Sequence, residues 1–203
     1  MKQIKQIVGL LLSIIFVYSF TYYAFKESNI FWYIFTFTIL IGIAISIIVS
    51  QLKDELPTWK YLLFGIGYGV ILYGIFRLIY IILNILNGEL TKSISKFITN
   101  YGPNNIWHYF LLLFIIVIGE EIFWRGYIQQ SVKNWTSPFM AITLSSLLFA
   151  LSFIWSWNLI VVIVIFVIGF VLGALYEWKK SIPLNIVAHE VFVLLLFLVI
   201  PFI

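Results

Sequence analysis

The chain has 203 residues, of which 63% are hydrophobic and 10% charged, less than half of the roughly one quarter charged residues of a soluble domain. That balance excludes an ordinary soluble domain and identifies a polytopic membrane protein. Its net charge of +4, twelve Lys and Arg against eight Asp and Glu, comes with no basic stripe interleaved with aromatics, so it reports membrane topology and excludes a nucleic-acid partner. The absence of cysteine excludes disulfides, thiolate metal sites and lipidation on Cys.

At about 17 to 25 apolar residues per crossing, spans are predicted near Ile7 to Ala24, Ile30 to Leu52, Tyr61 to Leu86, Ile106 to Ile128, Phe139 to Trp155, Leu159 to Tyr176 and Pro183 to Ile203. The expected fold is therefore all-α: a transmembrane bundle of about seven helices in one integral membrane unit. The first apolar run follows Lys2 and Lys5 as a signal peptide would. It is about 18 residues long without a small-x-small cleavage site, and reads as a retained span. Trp32, Tyr33, Trp155, Trp157 and Trp178 fall near the predicted ends, where amphipathic rings favour the headgroup zone. Between the third and fourth spans, Glu89 to Asn100 carries Leu90, Ile94, Phe97 and Ile98 at helical spacing. Two readings stand: a short interfacial helix, or a connecting loop whose apolar residues tuck against the bundle.

Of the loop cations, Lys2, Lys5, Lys53, Lys60, Lys133, Lys179 and Lys180 fall on one side, while Lys26, Lys92 and Lys96 fall on the other. Seven against three predicts a cytoplasmic N terminus.

The fourth span contains Glu120, Glu121 and Arg125. Each ionised residue at a helix centre opposes insertion by ~2.5 to 3.5 kcal/mol, so the trio facing lipid would forfeit on the order of 8 to 10 kcal/mol. Glu121 and Arg125 are four residues apart, on one helical face and in the favourable order for pairing. Glu120, rotated by roughly 100 degrees, needs another partner, such as water or a neighbouring helix. An intramembrane carboxylate can act as general base toward water. Alternatively the three charges tie helices together, but at about 0.6 to 2 kcal/mol per buried contact that gain does not offset their burial.

His189, with Asn185 one turn before it and Glu190 directly after it, lies in the last span at a depth that could meet Glu120. Glu and His around one water form a hydrolytic arrangement. His108 belongs to the interface. Ser145 and Ser146 are milder intramembrane polar groups, and Arg77 either snorkels or pairs within the bundle. The spacings Gly65 to Gly69 and Gly169 to Gly173 predict close helix packing inside the bundle.

With Glu120-Glu121-Ile122-Phe123-Trp124-Arg125-Gly126, Ser145 to Phe153, and Gly169 to His189 in order, the chain resembles the CPBP family of intramembrane CAAX-type proteases and bacteriocin-processing enzymes, also called Abi proteins. The resemblance covers roughly Ile106 to Phe197. It implies a CAAX-protease-like four-helix core over residues 106–203, preceded by N-terminal helices and the interfacial segment over 1–105. It also implies an intramembrane endopeptidase with a glutamate-activated water and catalytic positions Glu120, Glu121, Arg125 and His189. The family's second motif, Phe-x-x-x-His, here ends on Phe153, and its last motif, His-x-x-x-Asn, ends on Val193.

The resemblance allows a divalent metal such as zinc, but one carboxylate and one imidazole fall short of the three protein ligands of catalytic zinc, so no cofactor or metal is expected. The expected partners are the lipid bilayer and a peptide or membrane-protein substrate, in a bacterial cell membrane. The competing reading, carried by Phe153 and Val193, is a catalytically degenerate relative serving as a membrane scaffold or bacteriocin-immunity protein. A small transporter would show paired broken helices in repeated halves, and none is visible.

Overall fold

A computed structural model describes residues 2–86, 88–199 and 201. Seven helices are long and apolar enough to cross a bilayer: Gln6–Lys26, Ser28–Val49, Thr58–Leu86, Ile106–Lys133, Pro138–Ser156, Leu159–Lys179 and Ile182–Val199. The protein is an all-α polytopic bundle, and the only extended pairing among the described residues is the isolated bridge between Asp54 and Ser181. The final residues of the seventh predicted span, Ile200, Phe202 and Ile203, lie outside the described residues.

We number the helices α1 (Lys2–Lys26), α2 (Phe31–Val49), α3 (Thr58–Leu86), α4 (Gly88–Tyr101), α5 (Ile106–Lys133), α6 (Pro138–Leu151), α7 (Leu159–Lys179) and α8 (Ile182–Leu194). Their starts follow local chemistry. Asn105, Ser137, Asn158 and Ser181 each accept a backbone N–H of the first turn of α5, α6, α7 and α8, and Pro138 and Pro183 occupy positions where no N–H is needed. Lys180 adopts a left-handed conformation and closes α7, donating its N–H to Tyr176 O at 2.8 Å.

The segment between the third and fourth spans is the helix α4, not a loop. Thr91 Oγ1 donates to Asn84 Oδ1 on α3 at 2.8 Å, and Asn158 Nδ2 at the start of α7 donates to Ser93 O at 2.8 Å. Its apolar face presents Phe97 and Tyr101 to the bundle, while Lys92 and Glu89 pair on the exposed face.

The fourth span is not a continuous α-helix. Leu112–Ile116 and Glu121–Gln129 are π-helical, and α-turns separate them. Such wide turns are rare and cluster at functional sites. Here they change the rotational phase of every polar residue after Leu111.

Close approaches are made where the glycine spacings predict them. A Cβ on Gly65 would lie 2.7 Å from Val187 Cβ, and one on Gly69 would lie 2.6 Å from Ala188 O, so α3 packs directly on α8. Large apolar side chains such as Leu12, Ile48 and Ile85 stay exposed on the outer surface, as lipid-facing positions must. Arg77 Nη1 donates to Pro201 O at 3.1 Å, tying α3 to the end of the chain. His108 stacks on Trp32 with ring centroids 4.8 Å apart, near the start of α5 and far from the polar centre.

Candidate active site

The polar centre forms where α5, α7 and α8 meet. Glu121, fully buried, is its hub. Its Oε1 accepts Arg125 Nη1 at 3.0 Å and lies 2.8 Å from His189 Nδ1, while its Oε2 accepts Asn185 Nδ2 at 3.2 Å. Arg125 is equally enclosed. Its Nη2 donates to Gly169 O at 3.2 Å, and its guanidinium carbon lies 5.1 Å from the centre of the Phe149 ring. Asn185 Nδ2 also donates to Leu172 O at 2.7 Å.

The predicted Glu121 to Arg125 pair is thus present. The direct partner of His189 is Glu121, whereas its depth in the last span predicts a meeting with Glu120, whose cavity it shares. The reason is rotational. A π-helix begins at Glu121, and α8 carries Asn185 and His189 on one face, so both reach the same carboxylate.

A carboxylate oxygen that already accepts from a guanidinium is an acceptor for the imidazole as well. His189 therefore donates from Nδ1, and in the neutral ring this leaves the Nε2 lone pair free.

Glu120 points elsewhere. It retains 6% exposure, and no hydrogen bond or salt bridge reaches its carboxylate among the described residues. With His189, also 6% exposed, it lines a cavity of about 170 Å³. Phe149, Phe153 and Val193 line the same cavity, and Phe97 and Tyr101 of α4 cover one end. The four positions at which the family resemblance expects polar groups, 120, 153, 189 and 193, therefore share one chamber, two polar and two apolar. Glu190 is only half-buried and does not line it.

This donor set does not fit a metal. No group of three His, Cys, Asp or Glu side chains among the described residues could hold one, and Glu121 is committed to Arg125, Asn185 and His189.

Sequence reasoning missed a polar ladder. Arg125 donates to Gly169 O, Gln129 Nε2 donates to Gly173 O at 3.0 Å, and Lys133 pairs with Glu177, so α5 and α7 run in the same direction with matched four-residue steps. The signal was legible: Glu121, Arg125, Gln129 and Lys133 form one four-residue repeat, facing Gly169, Gly173 and Glu177. The glycines allow it, because a Cβ on Gly173 would lie 2.9 Å from Gln129 Oε1.

A buried Glu–Arg–His–Asn cluster thus lies beside an unpaired glutamate inside a bundle of seven apolar spans. Residues 102–195 match the family described as type II CAAX prenyl endopeptidase Rce1-like. The chain is also similar to the uncharacterized protein YpbD of Bacillus subtilis (strain 168), with 29% identity over 104 residues, covering 51% of this chain and 48% of that protein. It thus spans about half the length of that curated relative. No solved structure matches it.

Proposed function

We propose that the protein is an intramembrane endopeptidase in which Glu120 activates a water for attack on a peptide carbonyl. Glu120 takes a proton from the water, the resulting hydroxide adds to the carbonyl carbon, and the C–N bond breaks as the amine nitrogen receives that proton. His189, with Nδ1 held by Glu121, offers Nε2 to orient the water, and Arg125 and Asn185 position Glu121. The observation carrying this reading is the unpaired, buried Glu120 carboxylate in the same cavity as His189.

The substrate is a peptide or membrane-anchored protein segment. The site lies in a bacterial cell membrane with the N terminus in the cytoplasm.

One observation favours a second reading. Phe153 and Val193 line that cavity where the family pattern expects His and Asn, which fits a relative of weak or lost activity that holds a membrane partner instead. Glu120→Ala and His189→Ala, made separately in cells with a measurable phenotype, test the peptidase. Each is expected to abolish it; if neither does while the protein inserts and accumulates, the peptidase reading fails. The paired substitution Phe153→His with Val193→Asn separates the two readings, since the degenerate relative gains hydrolysis only in that variant.

A further inference from the structure

The two ends of the bundle differ in charge and in access to the polar centre. Lys53, Lys60, Lys133, Lys179 and Lys180 lie at the end where α2 and α5 finish and α7 turns into α8, while Lys26, Lys92 and Lys96 lie at the other. Short lysine-rich connections mark the cytoplasmic side.

The lysine-rich end is sealed. Below the Glu121 cluster, Gln129, Tyr176 and Leu184 have no exposure, and Arg125 has 2%. The turn between α7 and α8 is clamped by the segment after α2: Ser181 Oγ donates to Asp54 Oδ1 at 2.8 Å, Ile182 N to Lys53 O at 3.0 Å, and Glu55 N to Lys180 O at 3.1 Å.

Toward the opposite end the cavity extends from Glu120 and His189 past Phe153 and Leu196 to Ile98, Tyr101 and Pro103, which are half-buried around its mouth. The mouth residues come from the end of α4 and the connection into α5, and Phe31 and Trp32 at the start of α2 line the same cavity, all at the lysine-poor end.

We infer that the site is entered from the non-cytoplasmic face of the membrane, beneath the end of α4, and that its substrate is a segment presented on that face. What enters rests on the peptidase reading; the direction of entry rests on charge and burial alone. The aromatic wall of Phe31, Phe35, Phe97 and Phe153 favours a segment carrying a bulky apolar side chain over a charged one.

The absence of cysteine makes the test direct. Single variants Asn100→Cys at the end of α4, Asn134→Cys at the lysine-rich end and Val193→Cys inside the cavity are treated in intact cells with a membrane-impermeant maleimide. Asn100 and Asn134 are exposed, so neither change disturbs packing. The expected result is labelling of Asn100→Cys and Val193→Cys in intact cells, with Asn134→Cys labelled only after permeabilisation. The reverse pattern overturns the inference. So does a Val193→Cys protein that accumulates normally yet stays unlabelled from outside. Because labelling requires no turnover, a failed peptidase reading and a failed entry route give different results.

Discussion

Two adjacent residues of identical chemistry, Glu120 and Glu121, are expected to respond very differently to the same isosteric change. Glu121→Gln removes the countercharge of Arg125, which is 2% exposed and pairs with Glu121 at 3.0 Å, its one ion pair among the described residues. Breaking a buried pair from one side costs about 3 to 5 kcal/mol, because the remaining charge is left uncompensated. At about 2 to 4 °C per kcal/mol for a chain of this size, that is a fall in Tm of roughly 6 to 20 °C. Glu120→Gln loses no hydrogen bond or salt bridge among the described residues, and its Tm is expected to stay within about 4 °C of the parent. Thermal unfolding in detergent, followed by tryptophan fluorescence, reads both; the eight tryptophans, Trp124 on the same π-helix among them, report the whole bundle. Equal losses in the two variants, or an unchanged Glu121→Gln, would refute the division of labour between hub and cavity carboxylate.

Asn185→Ala strands Glu121 Oε2 and Leu172 O, and an unfolding measurement is expected to show about 1 to 2 kcal/mol lost. Gly69→Ala places a methyl against Ala188 O and should lower stability by ~1 to 3 kcal/mol through overpacking. Gly67→Ala, which meets nothing within 4 Å, should be neutral or stabilising by up to about 1 kcal/mol; comparable losses in the two would contradict the α3 to α8 packing. Lys133→Met breaks a pair whose side chains are 27% and 18% exposed, so the loss, read in the same melts, should stay under about 1 kcal/mol.

Span count and the Glu121 to Arg125 pair were legible because both depend on periodicity within one segment. Length and hydropathy placed the seven crossings, and a four-residue spacing placed the ion pair. The His189 to Glu121 bond was not legible, since it depends on how far α5 is rotated relative to α8. The π-helical turns at Leu112–Ile116 and Glu121–Gln129 alter that rotation without any Pro in α5 to announce them. Spacing shows Asn185 only as the residue one turn before His189, because its two acceptors, on α5 and α7, are set by tertiary packing. The role of α4 was half legible: its amphipathic pattern left a helix and a loop both open, and did not tell that Phe97 and Tyr101 would cover the cavity.

The ladder between α5 and α7 fixes which changes of chain length the protein tolerates. Its three rungs share one sequence offset of 44 residues, so they act as a vernier: the alignment is correct for all of them or for none. A residue added to the connection around Ser156 to Asn158 changes the offset to a new constant and leaves every rung in place. The same residue added between Arg125 and Gln129 turns the lower part of α5 out of phase, separating the site above from the clamp below. Length variation among relatives should therefore collect in the connections and spare the stretches between rungs.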